Sequence, residues 1–91
     1  MSASRLSRTQ MRTWLTEYMA ELLGLPPREI NPAESFESYG LDSTGAVGLS
    51  GDLEDLLGAS FDTTLAYEYE SVDALVEHLV ARQLVDEDGI R

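Results

Sequence analysis

Gly40-Leu41-Asp42-Ser43 is the stretch of this chain whose residue types and spacing best suit chemistry. A serine at the start of an amphipathic helix stands beside unpaired backbone N–H groups and the positive end of the helix dipole, a setting that favours a phosphate. Ser43 lies away from the apolar stripe of the helix that follows, which turns its hydroxyl to solvent. Leu41 is placed to bury and fix the entry of the chain. The same Asp-Ser pair is also an ordinary capping signal, and a cap alone accounts for it.

Other constellations carry less. His78 is the only histidine and falls off the core stripe near the end of a helix, where a cation meeting the helix dipole is expected rather than a base. Gly40 to Gly45 is not a G-x-S-x-G elbow, because one residue too many precedes the serine. Asp86-Glu87-Asp88-Gly89 has a calcium-like composition without the twelve-residue pattern of an EF-hand. Cysteine is absent, which excludes disulfides, thiolate metal sites and a cysteine nucleophile. With no base, metal set or phosphate cradle to work with the serine, an enzyme is the class least suited to these residues, and no metal site is expected.

The elements that position Ser43 are helices. A first helix is predicted from about Thr9 to Leu23, with Met11, Trp14, Leu15, Tyr18 and Leu22 at three- and four-residue spacing. Gly24 stops it and Pro26-Pro27 bars continuation. A long connection from Leu25 to Asp42 carries its own anchors, Ile30, Phe36 and Tyr39. The second helix is predicted from Ser43 to Leu57, with Ala46, Leu49, Leu53, Leu56 and Leu57 on the core side and Gly58 as its stop. Its opposite arc holds Ser43, Thr44, Val47, Gly48, Gly51, Glu54 and Asp55. Thr64 is expected to cap one turn over Leu65 to Tyr69, and Ser71 a last helix to about Arg82, whose core face is Val72, Leu75, Val76 and Leu79. Residues 83 to 91 read as a frayed tail.

The fold class expected is all-α: a small four-helix bundle of three main helices and one short one, with a long loop between the first and second. Ninety-one residues at 10.0 kDa are enough for one domain over 1–91, with its core at about 9–82. No apolar run is long enough to span a bilayer. Arg5, Arg8 and Arg12 among serines faintly resemble a transit segment, but Met11 onward already belongs to the first helix, so a cytoplasmic location is expected.

Charge sharpens this. Seventeen acids face six arginines and no lysine, for a net charge of −11. Between Glu29 and Ala81 there are twelve acids and no Lys or Arg. Such a surface excludes nucleic acid, which needs a cationic stripe, and argues against an anionic membrane. It favours cationic protein partners, although a solvated face that only confers solubility accounts for the same charge. Glycines 45, 48 and 51 inside one helix are a local weakness. Gly45 sits at the margin of the core stripe, where it lets a neighbouring helix approach. Gly48 and Gly51 face outward, and a flat patch around Val47 for close approach of a partner is one reading; drift at an exposed site is the other.

With these residues in place, the sequence resembles the acyl carrier proteins of the phosphopantetheine-bearing family over about residues 9 to 82. Gly-Leu-Asp-Ser at 40 to 43 matches that family's attachment motif, and the run from Ala46 to Glu54 resembles its second helix. Leu65 to Tyr69 followed by Val72 to Leu75 resembles a passage of polyketide-type carriers, in particular those loaded by fatty-acyl-AMP ligases. Two positions depart from the pattern: Thr44 replaces a bulky apolar residue after the serine, and Glu70-Ser71 replaces Pro-Thr before the last helix. The first bears on which enzymes recognise the second helix, the second on a cap.

The resemblance implies a covalent 4′-phosphopantetheine, taken from coenzyme A and attached to Ser43 within the flanking motif residues Leu41 and Asp42. It implies a non-catalytic carrier of acyl or polyketide intermediates as thioesters. The implied partners are a phosphopantetheinyl transferase, an acyl-loading enzyme (a fatty-acyl-AMP ligase or acyltransferase), and a ketosynthase or other synthase domain. They would meet Thr44, Val47, Gly48, Gly51, Glu54 and Asp55. A monomer is expected. Two alternatives stay open: a peptidyl or aryl carrier of nonribosomal synthesis, and an unmodified acidic helical adaptor in which Ser43 is merely a cap.

Overall fold

A computed structural model describes residues 5–87. Four α-helices follow one another: α1 (Arg8–Leu23), α2 (Ser43–Leu57), α3 (Leu65–Glu68) and α4 (Val72–Ala81), with a 3-10 turn at Pro27–Glu29. The only β pairing among the described residues is two isolated bridges, Ser7 with Asp86 and Ser35 with Ser71. The all-α bundle is therefore what the chain adopts.

α1 begins on a capping box: Ser7 Oγ accepts from the Gln10 amide while the Gln10 side chain accepts from the Ser7 amide. It ends at Gly24, whose φ of 72° suits a residue without a Cβ, and the Leu25 amide then donates to Ala20 O at 2.9 Å. Met11 and Leu15 are fully buried as expected, and Met19 and Ala20 join them. Leu22 is on the predicted stripe yet 47% exposed. The reason lies on α2, where the residue facing it is Gly45: a Cβ there would stand 3.5 Å from Leu22 Cδ2, and glycine supplies nothing to cover it.

The connection between α1 and α2 is held by its own side chains, as its composition predicts. Ile30 and Phe36 are buried, and the Tyr39 hydroxyl accepts from the Asn31 amide at 2.7 Å. Its backbone is pinned to the start of α4 by Phe36 N–H to Glu70 O at 2.7 Å and Asp73 N–H to Pro32 O at 2.9 Å. Ser71 caps α4 through the Ala74 amide at 3.1 Å. The expected Thr64 cap is not made. Asp62 instead orders the turn before α3, its Oδ1 accepting from both the amide and the hydroxyl of Thr64 at 3.0 Å.

On α2, Ala46, Leu49 and Leu53 are fully buried, whereas Leu56 at the edge of the stripe is 38% exposed. Ser50 takes a core position that the apolar pattern skips. Its hydroxyl satisfies itself by donating to Ala46 O at 3.1 Å and Asp62 O at 3.2 Å, which lets a polar residue sit inside.

The predicted frayed tail is corrected for residues 83–87; residues 88–91 lie outside the described range. Val85 is buried, the Arg8 amide donates to Asp86 O at 2.7 Å, and the Asp86 amide donates to Leu6 O at 2.9 Å. The chain thus returns to close over the start of α1. The arginines of that region do more than decorate it. Arg5 pairs with Asp86, Arg8 with Glu77 and Glu87, and Arg12 with Asp73, so the basic end of α1 is neutralised against α4 and the returning segment.

Candidate functional site

The turn into α2 is built by Gly40, Leu41 and Asp42. Gly40 takes a φ of 85°, which only glycine adopts without strain. Leu41 is half-buried and folds back over Gly45: a Cβ on that glycine would lie 2.6 Å from Leu41 Cδ1. Gly45 accordingly admits a side chain from the preceding turn as well as the expected neighbouring helix, whose Leu22 Cδ2 would lie 3.5 Å from such a Cβ. Asp42 is the cap, its Oδ1 accepting from the Gly45 amide at 2.8 Å. Ser43 is then the first helical residue. It is exposed, and its hydroxyl makes no hydrogen bond among the described residues. Capping and the free hydroxyl are therefore divided between two adjacent residues, and nothing in the fold consumes Ser43 Oγ.

The arc singled out after Ser43 is not one face. Thr44, Gly48, Gly51 and Asp55 are exposed, and Val47 is 50% exposed. At 100° per residue Val47 lies about 20° from Glu54 but about 100° from Gly48. Gly48 looks instead toward α1, its nearest neighbour being the Tyr18 hydroxyl, 3.6 Å from where a Cβ would stand. Glu54 is half-buried, and its carboxylate accepts from the Phe61 amide at 2.8 Å. That corrects its reading as a free docking charge: it ties α2 to the loop leading to α3.

Two open grooves flank the Ser43 turn and share Leu41 as the ridge between them. One, of about 320 Å³, has Phe36, Leu41, Ala66 and the exposed Tyr67 as its apolar lining and Glu37 and Glu70 at its edge. The other, of about 410 Å³, lies between α1 and α2. Beside it, burial first and then the Asp52 carboxylate that accepts its hydrogen bond push the pKa of the Tyr18 phenol up to about 12. Periodicity marked Tyr18 as part of the α1 stripe but neither its pairing with Asp52 nor the place of Tyr67 in a groove, because both depend on which helix lies opposite.

His78 is not the expected helix-end cation. Its ring stacks on Tyr69 at 3.9 Å between centroids, and burial, aided by Arg82, pushes its pKa below the ordinary value of 6.5. No group of three or more His, Asp or Glu side chains among the described residues is arranged to hold a metal ion.

A family model described as a phosphopantetheine attachment site matches residues 13–79. The chain belongs to that family. Relatives of this phosphopantetheine-binding chain include a phenolphthiocerol/phthiocerol polyketide synthase polypeptide of Mycobacterium tuberculosis, 33% identical over 89% of this chain and 4% of that protein. They also include the acyl carrier protein TtuC of Teredinibacter turnerae, 29% identical over 85% of this chain and 88% of that protein. Among solved structures, a free-standing peptidyl carrier protein from Acinetobacter baumannii superposes with a TM-score of 0.80 at 35% identity, covering 85% of this chain and 96% of that one. The chain spans about 4% of the length of the curated synthase it matches. This is a non-catalytic carrier related to polyketide synthase carriers, and its cofactor is covalently attached 4′-phosphopantetheine. A free, exposed serine hydroxyl at the first position of a helix fits that group. No helix among the described residues is long and apolar enough to cross a membrane.

Proposed function

We propose that the chain carries acyl groups in polyketide or fatty-acyl-derived biosynthesis, with the prosthetic arm on Ser43. The observation that carries the site is the Ser43 hydroxyl, exposed and unbonded at the start of α2, beside an Asp42 that already caps the helix. When bound, the arm supplies a terminal thiol that holds acyl groups as thioesters. Ser43 Oγ supplies the attacking oxygen for a phosphodiester bond, and coenzyme A loses its adenosine bisphosphate. No base is hydrogen-bonded to that hydroxyl among the described residues, so a phosphopantetheinyl transferase takes its proton. Leu41, wedged over Gly45, fixes the turn that presents the oxygen. The chain has no cysteine, so no protein thiol competes for the thioester.

The further partners are an acyl-loading enzyme, either a fatty-acyl-AMP ligase or an acyltransferase, and a ketosynthase or other synthase domain. They meet Val47, Thr44 and Asp55 on the exposed side of α2, steered by its carboxylates. The chain works in the cytoplasm as a monomer. The deciding experiment is the intact mass after incubation with coenzyme A and a broad-range transferase. One phosphopantetheine is expected on the wild type and none on Ser43→Ala. Modification of the alanine variant would refute the site, and an unmodified wild type would support the adaptor.

A second reading is favoured by one observation, the likeness to a peptidyl carrier. Here the arm would hold aminoacyl groups. Loading of the modified protein by a fatty-acyl-AMP ligase but not by an amino-acid-adenylating enzyme supports the acyl reading, and the reverse outcome supports the peptidyl one.

A further inference from the structure

The groove between α1 and α2 is lined in part by Tyr18, Leu22, Leu41, Thr44, Gly45 and Gly48. Its apolar wall is Leu22, 47% exposed on the core stripe of its own helix. A single exposed leucine is ordinary. This one faces Gly45, where the space for a Cβ is already filled by Leu41, while beside it at Gly48 only the Tyr18 hydroxyl would touch an added Cβ. The α2 backbone is therefore approachable at Gly48 in a way that a side chain there would prevent.

Charge surrounds the same groove. Glu21 on the α1 side, and Asp42 and Asp52 on the α2 side, are exposed. Asp42 lines the groove itself, and none of the three acids is in an ion pair among the described residues. Arg5, Arg8 and Arg12 are engaged with Asp86, Glu77, Glu87 and Asp73, on the side of α1 that meets α4. The result is an apolar slot with an anionic rim, beside the turn that presents Ser43 but about a quarter-turn or more around α2 from Val47.

We propose that this groove docks a basic segment of a partner protein. An apolar side chain of that segment seats against Leu22 and over Gly48, and its flanking lysines or arginines meet Glu21, Asp42 and Asp52. Val47 itself stays free in such a complex, so the carrier has two docking lanes that border each other at Ser43 and Thr44.

The test is an amide chemical-shift titration of the full chain, with and without its arm, by a synthetic amphipathic helix of leucines and lysines. A leucine–glutamate helix of the same pattern serves as the control. The lysine peptide is expected to shift Leu22, Gly45 and Gly48 and to weaken with added salt, while the glutamate peptide has no effect. Leu22→Ser, at an exposed position, should weaken binding about tenfold, the loss of one apolar contact of this size. Gly48→Leu, which fills the floor, should weaken it as well, with circular dichroism confirming both folds. Four outcomes overturn the proposal. They are shifts centred on Val47 and Glu54, unchanged binding in both variants, shifts at Leu22 and Gly48 on attachment of the arm alone, and the same shifts on raising the protein's own concentration. The last two would place the arm or a second copy in the groove.

Discussion

Leu41 occupies the space that a side chain on Gly45 would need, its Cδ1 standing 2.6 Å from the position of the missing Cβ. The tight turn before Ser43 and the glycine one helical step after it are thus parts of one device. Glycine at 45 loses helix propensity but lets the Leu41 side chain brace the attachment corner.

That relationship separates the glycines of α2. Gly51→Ala meets open space and should stabilise the protein by about 1 kcal/mol. Gly48→Ala meets only the Tyr18 hydroxyl, at ordinary contact distance, and should gain a similar amount. Gly45→Ala must displace Leu41, so it should gain less than either, or lose stability. Thermal melts of the three variants check the order, and a shift of the Leu41 methyl resonances should appear in the third alone.

The division of labour at the turn gives a second expectation. Asp42→Ala removes the cap on Gly45 N–H and should cost about 1 kcal/mol. Ser43→Ala removes no protein hydrogen bond and should change stability by less than about 0.5 kcal/mol while abolishing modification. Denaturant melts paired with intact masses would show both. A large loss in the serine variant would mean that Ser43 itself caps the helix.

The two acids at 54 and 55 should behave differently. Glu54→Ala leaves the Phe61 amide without its partner and should destabilise the fold by about 1–2 kcal/mol. Asp55→Arg should leave stability within about 0.5 kcal/mol and slow association with the modifying transferase, most clearly at low salt. Stopped-flow association rates at two salt concentrations, set beside melts, separate the effects.

His78 sets a pH dependence whose sign follows from its lowered pKa. The unfolded chain binds a proton there more readily than the folded one, so the contribution is fully present above the ordinary value of 6.5 and is lost as pH falls through the lower folded value. His78→Phe, which keeps a ring against Tyr69, should flatten that part of the stability profile. Ring-proton titration by NMR should give a midpoint below 6.5.

The order and ends of the helices were legible because local chemistry marks them: Gly24 and Gly58 stop α1 and α2, and Ser71 opens α4. Three features were not legible, each for a non-local reason. Ser50 is buried because Asp62 O, twelve residues on, accepts its hydroxyl. Leu22 is exposed because glycine faces it from another helix. The segment around Val85 is ordered by two backbone bonds to Leu6 and Arg8, too short a pairing to leave any periodicity. At the candidate site, the start of α2 at Ser43 behind Asp42 was legible in the sequence, while the split between the Val47 and Gly48 sides depended on where α1 lies.

The pairing of Asp86 with Leu6 and Arg8 has a mechanical consequence. Entry and exit of the described chain lie side by side at the first turn of α1, whereas the Ser43 turn packs near Leu22 at its last. α1 spans 16 residues, about 24 Å at the usual rise, so that distance separates the two poles. In a longer polypeptide, such as the synthase that this chain resembles over a small part of its length, both connecting segments would leave from the pole remote from the serine. Any rotation of such a domain would turn about that paired stalk, like a bell on its hanger. The serine is the clapper end, farthest from the hinge, where a given rotation sweeps the widest path.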